Sequence, residues 1–360
     1  MKYLIVAGGT GGHIYPAISI INKIKEEDKN NDILYIGNID RMEKNIIPKM
    51  NIKFIGLKME GINRKNIFKN IKVYSYYKKA YKESLKIIDE FRPDIAIGVG
   101  GYITVPVLKA CKKRKIKILI HEQNSIPGIS NRMLSKIANV ICISLPNSKK
   151  YFKTKAKVVL TGNPRGEEIV KVDKLDKKLL GFDNNKKLVV IVMGSLGSLT
   201  MTKKLIDSIE SFRNKYYEVL IITGNNYYKM YKNIKLPDNV KIEPFMNNLI
   251  NLLKTTDILV SRAGASTISE ITALGLVSIL VPSPYVTANH QEKNALELEE
   301  KNACRVILEK DFTKDKLINE IDKLFDNKKE FDIIKKNSKE LGISNSKTLI
   351  YNEIKNILLE

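Results

Sequence analysis

Short apolar runs rich in β-branched residues alternate along the chain with longer stretches in which apolar positions recur every three to four residues. The short runs are 3–7, 33–36, 52–57, 95–99, 116–120, 139–143 and 157–160; after a polar interval come 188–193, 218–223, 240–243, 257–260, 277–281 and 304–308. Helical spacing occupies 14–25, 67–90, 103–113, 202–214, 265–274 and 313–325. Continuous apolar runs of this length read as strands buried on both faces, and the wider spacing reads as helices that lay one stripe on a sheet. Strand and helix in alternation predict an α/β fold with parallel sheets wound on both faces.

About a dozen strands is large for one open sheet. The polar segment from Glu167 to Lys187 interrupts the pattern before a new buried run begins. We therefore expect two Rossmann-like, doubly wound domains facing a cleft: an N-terminal domain over 1–163 and a C-terminal domain over 164–340. A helical tail, 341–360, is expected to pack back on the first domain. Open parallel sheets bind ligands beyond the carboxyl ends of their strands, so the chemistry is expected just after the strands.

Composition adjusts this picture. The 360 residues carry 62 Lys+Arg against 39 Asp+Glu, a net charge of +23, which favours anionic partners. Richness in Lys, Asn and Ile accounts for part of that excess, and no common nucleic-acid-binding signature is present, so nucleic acid is not an expected partner. No apolar run is long enough to cross a bilayer, and 3–7 is too short for a signal peptide. Cys111, Cys142 and Cys304 lack metal-type spacing and are expected as free buried thiols in a reducing compartment, with no metal site.

Three glycine clusters follow predicted strands: Gly8-Gly9-Thr10-Gly11-Gly12-His13, Gly98-Val99-Gly100-Gly101-Tyr102 and Gly194-Ser195-Leu196-Gly197-Ser198. Such loops let a ligand approach backbone N–H groups at a helix start. The first does not have the GxGxxG spacing, and no acidic residue ends the second strand, which disfavours a nicotinamide cofactor. The three histidines, His13, His121 and His290, all fall in predicted loops after strands. His13 precedes a helix expected from about Ile14. There a helix N-terminus disfavours the imidazolium, so the ring either accepts a proton or orients a phosphate or hydroxyl. In the second half, Ser261-Arg262-Ala263-Gly264-Ala265-Ser266-Thr267-Ile268-Ser269-Glu270 opens a helix after a strand. Glu270 either accepts the two hydroxyls of a ribose or closes a capping box on its own helix.

The segments GGTGGHIYPA (8–17), DRMEKNIIPK (40–49), GVGGYITVP (98–106), HEQNSIPG (121–128), GNPR (162–165), SRAGASTISE (261–270) and PSPYVTANHQEKNA (282–295) appear in order along nearly the whole chain. Together they resemble the MurG family of peptidoglycan glycosyltransferases. The resemblance implies the two-domain GT-B architecture, with the acceptor bound by the N-terminal half and the nucleotide-sugar by the C-terminal half. It implies an inverting transfer of N-acetylglucosamine, without metal or cofactor, from UDP-N-acetylglucosamine to an undecaprenyl-diphosphate-linked muramoyl-pentapeptide. Donor contacts would be Thr10, Gly11, Gly12, Asn124, Arg165, Ser195, Met246, Ala265, Ser266, Thr267, Ile268, Ser269, Glu270 and Gln291, with His13 as the base. Acceptor-side candidates are Asp40, Arg41, Glu43, Gly100, Gly101, Tyr102 and His121. The departures from the family pattern are Met193 and Ser198 in place of the first glycine and the alanine of the third loop, and Arg165 directly after Pro164.

The same resemblance implies a peripheral protein on the cytoplasmic face of the cell membrane, drawn to an anionic surface. The segment 64–86 mixes Ile67, Phe68, Ile71 and Tyr74 with several lysines and is the candidate contact. Its apolar positions also recur at helical spacing, as a stripe facing the core would. The competing functions are another GT-B transferase acting on a glycolipid, a UDP-sugar epimerase and a non-catalytic nucleotide-sugar sensor.

Overall fold

The computed structural model describes residues 1–61, 68–194 and 197–359, with Lys69 and Thr287 described as backbone only. Two compact units result: Met1–Arg165 together with Asn345–Glu360, and Gly166–Ser344. The divisions fall a few residues after those read from the sequence, so Arg165 belongs to the first unit.

The N-terminal unit is built on seven parallel strands: β1 (Lys2–Val6), β2 (Asp32–Asn38), β3 (Lys53–Leu57), β4 (Ile95–Gly98), β5 (Lys117–Glu122), β6 (Val140–Ile143) and β7 (Lys157–Leu160). Their order is β3-β2-β1-β4-β5-β6-β7. Alternation along β1 feeds two cores: Tyr3 and Ile5 face one, Leu4 and Val6 the other. With both faces covered, the strand must be apolar at every interior position, which is why it reads as an unbroken run. Helix Gly11–Glu27 packs on the first face and contributes Ile14, Ala17, Ile20, Ile21 and Ile24. Helices Lys69–Phe91, Thr104–Lys113 and Ile129–Leu134 supply buried residues to the second.

The last helix, Ser346–Leu359, completes the first core with Ile350, Ile354 and Ile357. Each such isoleucine contributes about 1.5–3 kcal/mol by burial. Ion pairs Lys157–Glu353 at 2.8 Å and Lys347–Glu26 at 3.3 Å fix it further.

The C-terminal unit repeats the plan with six parallel strands: β8 (Lys187–Val192), β9 (Tyr217–Ile222), β10 (Val240–Glu243), β11 (Ile258–Ser261), β12 (Val277–Leu280) and β13 (Arg305–Val306), ordered β10-β9-β8-β11-β12-β13. The thirteen strands fall where the apolar runs placed them. Helix starts differ more. The first helix begins at Gly11, not Ile14, so Gly11, Gly12 and His13 form its first turn. The stretch 202–214 is helix Leu199–Ser208 followed by a 3₁₀ turn, Ile209–Phe212. Glycines and a serine cap lie outside any hydrophobic period, so periodicity could not place these ends.

Candidate functional site

In each unit the strand order reverses between two neighbours, β1 and β4 in the first, β8 and β11 in the second. Loops leaving such a pair in opposite directions open a crevice at their carboxyl ends. The four loops concerned are the glycine clusters and the segment after Ser261.

At the first switch point, Gly8 N–H donates to Gly100 O at 3.2 Å, and Val99 N–H to Val6 O at 2.9 Å. Gly101 (φ +94) lies so close that a Cβ there would stand 2.3 Å from Gly8 O. A Cβ on Gly100 (φ +106) would meet the His13 ring at 2.5 Å. Both glycines are thus required by positive φ and by close approach, and they have no side chain to offer an acceptor.

His13 Nδ1 lies 3.1 Å from Gly8 O and 3.5 Å from Thr10 Oγ1. A carbonyl only accepts, so Nδ1 carries the proton of the neutral ring and Nε2 is the basic nitrogen. Thr10 is the cap residue of the helix, in extended conformation, and its side chain does not take the helix N–H groups. A helix start of this kind suits an anion or a developing negative charge.

Two acceptor-side candidates are fully buried. His121 lies inside β5 rather than in a loop, and it is fully buried. Its Nε2–H donates to Gly162 O at 3.0 Å, and its Nδ1 accepts from Gln123 Nε2 at 2.9 Å. Burial pushes its pKa down to about 4, against the opposing pull of the Gly162 carbonyl. The ring is a neutral strut between the ends of β5 and β7. Glu43 is also fully buried and bonds to backbone behind the first loop. Asp40 and Arg41 are exposed, with Asp40 3.8 Å from Lys58. Tyr102 is half exposed and lies against Gly61.

Glu122, quoted within a motif but assigned no role from sequence, organises the loop beyond β5. One carboxylate oxygen accepts from Asn124 N–H (2.9 Å) and Asn124 Nδ2 (3.2 Å), the other from Gly128 N–H (3.0 Å) and Asn131 Nδ2 (2.9 Å). A charged residue at the end of a buried strand was the available signal. Arg165 opens helix Arg165–Lys171, its N–H on Asn163 Oδ1 at 3.1 Å and its guanidinium 5.7 Å from the Tyr15 ring centre.

At the second switch point, Ser195 lies outside the described residues. Around it, Gly194 (φ +93) and Gly197 (φ +73) make the turn, and a Cβ on Gly197 would stand 2.3 Å from Thr223 O. Ser198 caps helix Leu199–Ser208 and accepts from Arg262 Nη2 at 3.1 Å. Arg262 is buried, donates to Val281 O at 3.0 Å and pairs with Glu309 at 2.7 Å. It therefore ties three segments together and is spent on structure.

Helix Ala265–Leu274 starts from Gly264, with no side-chain cap. Glu270 is its sixth residue and stands in the second turn, three positions beyond the place a capping-box carboxylate needs. The capping alternative is thereby removed. Ser266 Oγ is buried without a hydrogen-bond partner among the described residues, whereas Ser269 Oγ turns back to Ser266 O at 2.7 Å. Ile268 is buried, so only its backbone can meet a ligand. Asn294 Nδ2 holds Ala263 O at 3.2 Å, and Gln291 Oε1 accepts from Ser283 N–H at 2.9 Å, leaving the Gln291 amide NH₂ to donate. His290 opens helix His290–Glu299 after two left-handed residues, Ala288 and Asn289. Met246 is half-buried in the segment after β10.

On the outer helical layer of the N-terminal unit, Phe68, Ile71 and Tyr74 are 83%, 72% and 58% exposed, at i, i+3, i+6 spacing. Lys78 Nζ sits 4.6 Å from the Tyr74 ring centre. Ile67 lies outside the described residues. The buried stripe of this helix starts at Val73 and runs through Ala80, Ser84, Ile88 and Phe91, so Ile71 and Tyr74 are not part of it. Two shallow concavities of about 630 and 600 Å³ are lined by Lys136, Lys153 and Lys155, and by Lys109, Arg132 and Lys136. The first borders Asn139 and Ala156, which precede β6 and β7, at the opposite sheet edge from the switch-point loops. No described helix is long and apolar enough to cross a membrane.

The chain matches the glycosyltransferase family 28 N-terminal domain over residues 3–143 and the family 28 C-terminal domain over 188–353. It is 41% identical, over 99% of both chains, to the UDP-N-acetylglucosamine–N-acetylmuramyl-(pentapeptide) pyrophosphoryl-undecaprenol N-acetylglucosamine transferase of Bacillus pumilus strain SAFR-032. A protein of the same name from Halalkalibacterium halodurans is 39% identical over 99% of both chains. Among solved structures, Acinetobacter baumannii MurG aligns with a TM-score of 0.80 at 22% identity, over 99% of both chains. UDP-GlcNAc 2-epimerase of Neisseria meningitidis aligns with a TM-score of 0.70 at 14% identity, over 99% of this chain and 100% of that one. The two structures share the fold, and the near-full-length identity decides between their families: this chain belongs to the MurG family of glycosyltransferase family 28.

Proposed function

We propose that the chain transfers N-acetylglucosamine from UDP-N-acetylglucosamine to the muramoyl C4 hydroxyl of the undecaprenyl-diphosphate-linked muramoyl-pentapeptide. The product is a β-1,4 bond formed with inversion, without a metal, at the cytoplasmic face of the membrane. The observation that carries this reading is the identity, over nearly the whole length, with relatives named for that transfer.

This reading gives each part of the chemistry a group. The acceptor hydroxyl attacks the anomeric carbon from the face opposite UDP, and His13 Nε2 takes its proton. The bond from Nδ1–H to Gly8 O keeps the ring in that tautomer and stabilises the imidazolium that forms. UDP leaves with its charge met by amide dipoles at the start of helix Ala265–Leu274, by Ser195 and by Arg165. Glu270 takes the ribose hydroxyls and the Met246 backbone the uracil. Asn124, held by Glu122, and Gln291, held by Ser283, direct amide groups to the sugar. Thr10, Gly11 and Gly12, at the start of helix Gly11–Glu27, are assigned to the transferred sugar.

The test uses purified protein, labelled UDP-N-acetylglucosamine and a short-chain analogue of the muramoyl-pentapeptide lipid. UDP release that depends on this acceptor is the expected result. Epimerisation without acceptor, or transfer to diacylglycerol instead, overturns the proposal.

A further inference from the structure

Behind the first glycine loop lies a carboxylate that touches neither surface nor solvent. Glu43 opens the short helix Glu43–Ile46 after β2 and is fully buried. Its Oε1 accepts from Asn38 N–H at 2.9 Å and Gly9 N–H at 3.3 Å. Two glycines make room for it. A Cβ on Gly8 would stand 2.6 Å from Oε1, and a Cβ on Gly37 would stand 2.7 Å from Glu43 Cγ. Neither glycine has a positive φ, so space and not backbone conformation demands them. The other oxygen, Oε2, is buried with no hydrogen-bond partner among the described residues, as are Asn38 Oδ1 and the Tyr35 hydroxyl.

A buried carboxylate with one oxygen unmet is costly, and an apolar side chain would fill this space at lower free energy. What an apolar side chain cannot do is hold two backbone N–H groups at one point. One of those amides, Gly9, directly follows the residue whose carbonyl takes the His13 ring. We propose that Glu43 is a positioning residue for His13. From behind the loop it sets the Gly8–Gly9 peptide, and the Gly8 carbonyl then sets which way the ring points. Gly100 runs close beside the ring, where a Cβ would stand 2.5 Å from it. Glu43 does not meet the acceptor. The catalytic consequence rests on the reading of His13 as the base.

The experiment compares E43A, E43Q and G8A with the unmodified protein, using ¹⁵N-histidine-labelled samples for the ring resonances and steady-state kinetics for turnover. In E43A the His13 resonances shift and kcat falls about 10- to 100-fold, while the donor KM stays within about threefold. E43Q keeps an oxygen for both amides, so its His13 resonances stay near their original positions and kcat recovers to within about fivefold. G8A pushes on the same contact from the other side and reproduces the E43A shift, which keeps the test open if E43A does not fold. Unmoved His13 resonances in folded E43A or in G8A overturn the proposal, and so does an E43Q as impaired as E43A. H13A separates the two readings: if it retains full turnover while E43A still moves the ring, the base assignment falls and the positioning role stands.

Discussion

His13 is partly exposed with its Nδ1 at the Gly8 carbonyl, whereas His121 is fully buried with its ring nitrogens engaged inside the sheet. This difference of burial, not sequence position, separates a candidate base from a strut. His13→Ala is expected to lower kcat by about 10²- to 10⁴-fold with little change in donor affinity. A rise in donor KM of similar size would instead assign the ring to binding. Glu270→Ala is expected to raise the donor KM by tenfold or so, with kcat at saturating donor largely kept; unaltered donor kinetics would remove the ribose assignment. For His121 the folded-state pKa of about 4 lies below the usual 6.5, so the unfolded chain binds the proton first as pH falls. The stability due to the neutral ring is fully present above pH 6.5. It is lost as pH falls towards 4, by about 3 kcal/mol in all. Urea unfolding between pH 7 and 4 measures it, and His121→Asn, which cannot be protonated, should flatten that limb. The motif at 121–128 was legible in the sequence; that its histidine is enclosed was not, because its neighbours are distant in the chain, Cys142 opposite it on β6 and Gly162 beyond β7.

Helix Lys69–Phe91 shows how one element divides its duties. Val73, Ala80, Ile88 and Phe91 are buried, whereas Phe68, Ile71 and Tyr74 stand in solvent with Lys72 and Lys78 near them in sequence. Periodicity alone joins the two groups into one stripe, and only their burial in the folded unit separates them. Exposed apolar side chains ringed by lysine fit an anionic bilayer surface. Replacing Phe68, Ile71 and Tyr74 together by serine is expected to lower partitioning onto vesicles containing anionic lipid by tenfold or more. Helix content and donor KM should be unchanged. Equal sedimentation of both proteins with the vesicles would refute this surface assignment.

At the scale of the whole chain, the N-terminal unit is made from two distant segments, because Ser346–Leu359 returns to cover the helix that carries His13 at its start. The unit cannot finish its core until the chain end is available. Removing residues 345–360 leaves the apolar surface once covered by Ile350, Ile354 and Ile357 open to water. It should lower the melting temperature by several degrees at least, and turnover should fall with it. The single change Ile354→Ala should cost about 2–5 kcal/mol in chemical denaturation. An unaltered melting profile after the truncation would mean that the tail adds little to the core.

The alternation of apolar runs and amphipathic stretches was sufficient, by itself, for thirteen parallel strands in two Rossmann-like units, since a strand covered on both faces admits few residues other than apolar ones. The motif order was likewise sufficient for the family. Tertiary structure decided what each polar residue does. Gly100 and Gly101 serve close backbone approach, and Arg262 and Glu122 hold loops. Glu43 is buried against the first glycine loop with its carboxylate on backbone N–H groups. Such roles depend on which strand ends lie side by side at the switch points, and that adjacency is set by sheet order, which is not a local property of the chain.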